Sequence, residues 1–211
     1  MKIYLPIFAL ILLQGCATPP LGSWAAFEKV DEFTDTRVCS VSVGSLYYKN
    51  VVATYSGSHY PYIEVVNGDL RVGIKSGGKF NIPVGDVQIR IDANPAWKII
   101  TSETPVDYIP EGIVGTTEEN TKALGSNLSE DRQKEFESTY QATMKTIYGS
   151  MSPFTATTGE KACSILKEMV SGKKIKYRTL GINQPASTTG EYDLDPTFKA
   201  SLSQCGIELT N

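Results

Sequence analysis

Between about Thr36 and Ile100, β-branched and aromatic residues recur without a helical period and are broken at short intervals by Gly, Pro and Asn. That pattern predicts antiparallel sheet. Val38-Cys39-Ser40-Val41-Ser42-Val43 alternates apolar and polar positions, and Val87, Ile89 and Ile91 alternate with Gln88, Arg90 and Asp92. The strongest local signal is Ile63-Glu64-Val65-Val66-Asn67-Gly68-Asp69-Leu70-Arg71-Val72, because Asn67-Gly68 supplies both positive φ angles of a type I′ turn. A two-residue hairpin sets Val66 against Asp69, Val65 against Leu70, Glu64 against Arg71 and Ile63 against Val72. Ile63, Val65, Leu70 and Val72 then share one face, and Glu64 and Arg71 face each other on the opposite one. Further turns are expected at Ser76-Gly77-Gly78 and at Pro83-Val84-Gly85-Asp86.

The period changes after Ser129. Ser129 caps a segment with Glu130 and Asp131 in its first turn, and Phe136, Tyr140, Thr143, Met144 and Ile147 follow at three- and four-residue spacing. A second helix is expected from a capping box of Thr157 and Glu160, with Ala162, Cys163, Leu166, Met169 and Val170 following and Gly172 as its stop. A strand over Lys174 to Leu180 comes next. Asp195-Pro196 opens a third, short helix carrying Phe198 and Leu202, and Gly206 ends it. The expectation is an α+β fold, in which an antiparallel sheet from the first half is packed by two or three C-terminal helices. It forms a single domain over 36–211: β-rich over 36–100, a loop over 101–128 and helical or mixed over 129–211. The loop has no period and reads as disorder or a surface excursion, the alternative being a strand around Tyr108-Ile109 or Ile113-Val114.

The N-terminus has a different logic. Lys2 precedes an apolar run from Ile3 to Leu13, interrupted by Pro6 and too short to span a bilayer as a mature helix. The run ends Leu12-Leu13-Gln14-Gly15-Cys16, which resembles the lipobox of bacterial lipoproteins: an aliphatic residue three before a Cys, a small residue just before it, and the Cys itself. The resemblance covers the first 16 residues. It implies a signal peptide over 1–15, cleavage after Gly15, lipidation of the Cys16 thiol and acylation of the new amino terminus. Two or more acyl chains, at about 0.8 kcal/mol for each buried methylene, hold a protein on a membrane durably. Ala17 stands where an Asp would favour inner-membrane retention, so the resemblance implies an outer-membrane anchor with the body facing the periplasm. Residues 16–35, beginning Cys16-Ala17-Thr18-Pro19-Pro20, are read as lipid anchor and tether. Further on, the stretch from Ser76-Gly77-Gly78-Lys79 to Trp97 resembles uncharacterised exported bacterial proteins, of no named family.

With Cys16 acylated, Cys39, Cys163 and Cys205 remain of the four cysteines. An oxidising compartment favours one disulfide. Cys163 with Cys205 would fasten the last two helices, leaving Cys39 as a small buried apolar group; the rival pairing is Cys39 with Cys205.

Composition narrows the chemistry. The chain has 211 residues, 41% hydrophobic and 20% charged, which suits a globular body. Its 20 Lys and Arg against 23 Asp and Glu supply no overall positive field to draw nucleic acid. A single His, His59, removes multi-His metal sites and most His-based catalysis; it reads as a loop residue at the surface or already satisfied, with assistance to Ser56 or Ser58 as the remote catalytic option. Gly73-Ile74-Lys75-Ser76-Gly77-Gly78-Lys79-Phe80 matches phosphate-loop spacing through the Lys, then places Phe80 where Ser or Thr must hold magnesium, and no helix is expected to follow. A turn between strands is the better reading, and no nucleotide is expected. Glu191, Asp193 and Asp195 alternate like hard-cation ligands but lack the Gly and distal Glu of a calcium hand. No metal or cofactor is expected.

Tyr47, Tyr48, Tyr55, Tyr60 and Tyr62 fall within sixteen positions near expected strand ends. Tyr supplies contact area with a polar tip, as binding surfaces use, and it equally packs half-buried on sheets. The resulting expectation is a non-enzymatic, membrane-anchored binding or structural module of the envelope, meeting an envelope protein or cell-wall component through the Tyr-bearing sheet and the loop after Thr101. The competing class is a cell-wall-acting enzyme or inhibitor with carboxylates such as Glu64 and Asp69.

Overall fold

The Asn67-Gly68 hairpin is the organising unit. Strand β3 (His59–Val66) pairs with β4 (Asp69–Ser76) in the register expected from the sequence, with Ile63 opposite Val72 and Glu64 opposite Arg71. Asn67 at φ 52° and Gly68 at φ 89° form the turn between them. The computed structural model describes residues 22–33, 35–43, 58–77, 82–105, 129–180 and 189–208.

Two antiparallel sheets grow from these beginnings. The first has strand order β1-β2-β3-β4-β7, adding β1 (Ala25–Val30), β2 (Arg37–Ser42) and β7 (Phe154–Thr157) to the hairpin. The second has order β6-β5-β8-β9, from β5 (Asp86–Ile91), β6 (Trp97–Ile99), β8 (Lys174–Leu180) and β9 (Thr189–Asp193). A one-turn 3-10 helix (Thr101–Glu103) follows β6, and the α-helices are α1 (Glu130–Met151), α2 (Gly159–Ser171) and α3 (Pro196–Gln204). The fold is α+β, as expected. Strands β1, β7 and β9 were not anticipated, and β1 lies inside the stretch read as tether. Thr157 belongs to β7 and not to a capping box; α2 starts one residue later, with Thr158 at its N-cap.

One core serves both sheets. Val41, Ile63, Val72 and Ile74 from the first sheet meet Val87, Ile89, Ile91 and Ile175 from the second in one cluster, each at most 1% exposed. Helix α2 contributes Ala162, Ile165, Leu166 and Met169, and α3 contributes Phe198 and Leu202. Burying each large aliphatic side chain is worth about 1.5–3 kcal/mol, so this shared cluster rather than either sheet alone holds the body together. Asp195 caps α3 through its carboxylate, which accepts from the N–H of Thr197 and of Phe198. At the start of this body stands Trp24, whose indole packs tilted at 58° against Phe198 with centroids 4.7 Å apart and donates to the Asp193 carbonyl at 2.8 Å. Trp24 thus fastens the start of β1 to β9 and α3.

Helix α1 was expected to cover the sheet, and it does not. Among its residues whose side chains are described, none is fully buried; Phe136, Tyr140 and Met144 are half-buried, and Ile147 is 44% exposed. Its last turn docks on the 3-10 helix, where Gly149 lies against the Thr101 carbonyl. The covering role falls to α2 and α3.

The cysteine pairing is corrected. Cys39 on β2 and Cys205 at the end of α3 form the disulfide, with Cα atoms 5.4 Å apart, and Cys163 is a free, exposed thiol. Helical phase is the reason. Ala162, Ile165, Leu166 and Met169 define the buried stripe of α2, and Cys163, one residue past Ala162, is turned about 100° away from it. Cys205 instead leaves α3 on the side that packs against β2.

Candidate functional site

The period-two geometry of the second sheet creates the site. Val87, Ile89 and Ile91 of β5 and Ile175, Tyr177 and Thr179 of β8 point into the core, so Gln88 and Arg90, and Lys174, Lys176 and Arg178, stand on the other face. Pairing puts Gln88 opposite Arg178 and Arg90 opposite Lys176, and β9 adds Thr189 opposite Arg178 and Glu191 opposite Lys176. These side chains line a concavity of about 580 Å³. That volume falls within the range of small-ligand sites.

The charges in the concavity are unequal. Glu191 accepts from Lys176 at 3.0 Å and from Lys174, and the two ammonium groups hold its carboxyl below the usual carboxylate range. Lys174 is pushed above its usual value chiefly by its hydrogen bond to Glu191, and also lies 3.8 Å from Asp193. Arg178 donates its Nε to the Gln88 Oε1 at 2.6 Å, and Arg90 donates one Nη to the Ala93 carbonyl at 3.0 Å. Both bonds steady the guanidinium planes while leaving the other nitrogens of each fork unused by them. Among the described residues neither arginine meets a carboxylate. Arg90 and Lys176 are like charges directly opposite on a sheet, an arrangement that costs stability. Of the residues lining the concavity, Arg90, Lys176 and Arg178 are cationic and Glu191 alone is anionic, an excess of two positive charges.

The expected site residues are placed as follows. Tyr60 and Tyr62 are core residues, 4% and 1% exposed, which corrects their assignment to a binding surface: the Tyr60 ring joins the main core, and Tyr62 packs edge-on to Phe154 with centroids 6.4 Å apart. Tyr47, Tyr48, Tyr55 and Cys16 lie outside the described residues, as do 106–128 of the loop and Gly78 to Phe80 of the phosphate-loop match. Gly73 to Ser76 of that match form the end of β4. Glu64 is buried, 3.6 Å from Lys75, whereas Asp69 is exposed beside the turn, and neither lines the concavity. Among the described residues no group of three His, Cys, Asp or Glu is placed to hold a metal ion, and no helix is long and apolar enough to cross a membrane. Glu191 and Asp193, whose alternation resembled that of cation ligands, belong to β9 and pair with lysines. The sequence signal for the site was half visible: the polar positions Gln88 and Arg90 were read, but Arg178, the partner of Gln88, lies 90 residues on.

His59 is buried rather than exposed, at 4%, and neither ring nitrogen has a hydrogen-bond partner among the described residues. Burial pushes its pKa below the usual 6.5; the Pro83 carbonyl nearby opposes this only weakly, without meeting a ring N–H in hydrogen-bond geometry. The unfolded chain therefore binds a proton on acidification before the folded one does, and stability present above pH 6.5 is lost as pH falls through that value. Urea unfolding is expected to show a lower midpoint at about pH 5.5 than at about pH 7.5. The chain has one His, so His59→Gln should remove that slope; a variant that keeps it would refute the assignment.

No protein-family description matches the chain, and neither curated proteins nor solved structures show a significant match to it. Fold and site together define a two-sheet α+β domain with a cationic concave face.

Proposed function

We propose that this protein is a lipid-anchored, non-enzymatic binding module of the bacterial envelope. Cys16 is the anchor, the outer membrane its site, and the periplasm the compartment of the body. The concave outer face of β5, β8 and β9 replaces the tyrosines as the binding surface. The observation that carries the binding reading is the pair of guanidinium groups, Arg90 and Arg178, standing in a concavity without carboxylate partners among the described residues. Protein surfaces otherwise pair or disperse such charges. The lipobox resemblance supports the anchor, and the Cys39–Cys205 disulfide suits an oxidising compartment. The set of Gln88, Arg90, Lys176, Arg178, Thr189 and Glu191 holds neither a nucleophile beside a base nor a carboxylate left free to act as one, which supports binding over catalysis.

Two measurements test this. Cells fed labelled palmitate should label the protein and hold it in the membrane fraction, and Cys16→Ser should abolish both; label retained by that variant would remove the anchor. Material captured from detergent-solubilised envelopes by the intact protein should be lost with Arg90→Glu and Arg178→Glu combined. Capture unaffected by the double substitution would remove the binding face.

A further inference from the structure

We infer that the concavity takes the phosphate of a lipid head group in the bilayer to which the protein is anchored. The inference rests on the reading above and adds the ligand class. Its first support is charge. Arg90, Lys176 and Arg178 with Glu191 leave two positive charges uncompensated in the concavity, and a phosphomonoester carries about −1.5 to −2 at neutral pH. A single carboxylate would leave one of those charges unmet.

The second support is shape. Arg90 pairs with Lys176 and Gln88 with Arg178, so Arg90 and Arg178 are diagonal neighbours across β5 and β8. Diagonal Cβ atoms lie about 7–8 Å apart, within convergence distance of two arginine side chains on one tetrahedral group. Planar guanidinium forks bind phosphate oxygens two at a time. The Gln88 amide and the Thr189 hydroxyl at the rim suit the ester or hydroxyl substituents of a head group.

The third support is position, and it selects a lipid over a soluble phosphate. Trp24 is fastened to Asp193, two residues along β9 from Glu191. Cys16 precedes Trp24 by eight residues, a span of at most about 28 Å of extended chain. An acylated Cys16 therefore keeps the concavity within a few nanometres of the head-group layer. That raises the local concentration of any lipid phosphate far above that of a solute. Nucleic acid is a poor occupant, since acidic residues outnumber basic ones over the whole chain, 23 to 20.

The test is calorimetric titration of the full-length protein in a non-ionic detergent with dihexanoyl phosphatidic acid, using dihexanoyl phosphatidylcholine, inorganic pyrophosphate and poly-L-glutamate as comparisons. Phosphatidic acid is expected to bind and phosphatidylcholine not to, with binding weakened by added salt. Arg90→Gln and Arg178→Gln together should weaken it at least about tenfold, while far-ultraviolet circular dichroism stays unchanged because both side chains lie on a solvent-facing sheet surface. Arg178→Lys, which keeps the charge and loses the fork, should fall between. Equal affinity for the two lipids, or an affinity untouched by the arginine substitutions, would overturn the inference. Tighter binding of pyrophosphate would shift the ligand to a soluble phosphate, and tighter binding of polyglutamate to an acidic polypeptide; either overturns the lipid assignment. Should the titrations fail while envelope capture still depends on Arg90 and Arg178, the ligand class is wrong and the binding face stands. If capture is also indifferent to them, both fall.

Discussion

Cys39→Ala is expected to destabilise the protein by about 3–5 kcal/mol, with Cys205→Ala costing the same and Cys163→Ala shifting stability by less than about 0.5 kcal/mol. The closed loop is long, 166 residues separating the bonded cysteines, so cutting it returns a large loop-closure entropy to the unfolded chain. The bond also reinforces the seam between the first sheet and the last helix. Cys39 is on β2 of the first sheet, and Cys205 ends the helix whose Phe198 packs against Trp24. Urea unfolding of each variant, with the intact protein measured with and without reductant, checks this. Reductant should lower the intact protein to the level of Cys39→Ala and leave that variant where it was. A Cys163→Ala variant that loses as much as Cys39→Ala would restore the helix-to-helix pairing.

Gly73→Ala should cost about 3 kcal/mol or more, although it adds a single methyl group. Gly73 pairs with Ala156 where β7 runs along β4. A Cβ there would lie 2.1 Å from the Thr155 carbonyl oxygen and 2.7 Å from the Ala156 Cα, both backbone atoms that cannot swing aside. Strand β7 would have to move away, and with it Thr155, whose hydroxyl donates to the Gly85 carbonyl at 2.6 Å beside the start of β5. At about 2–4 °C per kcal/mol for a chain of this size, the midpoint of thermal unfolding should fall by about 6–12 °C. Gly68→Ala is the control. Its φ of 89° strains an added side chain, but no atom lies within 4 Å of the new Cβ, so about 1 kcal/mol is expected. Equal losses at the two positions would show that β7 does not approach β4 this closely.

Legibility along the chain followed the range of the interactions. The β3–β4 register was readable because an Asn-Gly turn and four apolar positions at period two act within ten residues. The N-cap of α3 was readable for the same reason: Asp195 and Pro196 act on the next turn. Strand β7 was not, since Phe154 to Thr157 is only four residues long, too short for its alternation of Phe and Ala with Thr to stand out as a strand. Strand β9 was hidden by its acidic residues, whose partners Lys174 and Lys176 are supplied by β8. Tyr60 and Tyr62 misled because a tyrosine at a strand position is as suited to the inner face as to the outer, and what packs upon it decides.

By itself, then, the amino-acid order determined the α+β character, the central hairpin and the positions of three helices, all of them consequences of neighbouring residues within a turn or two. The tertiary structure alone decided that there are two sheets, that α2 and α3 rather than α1 cover the core, that Cys39 takes Cys205, and that Arg90 and Arg178 share a concavity. Each of these depends on which distant segments pair, and a pairing free energy belongs to two segments jointly, so neither segment's own pattern contains it.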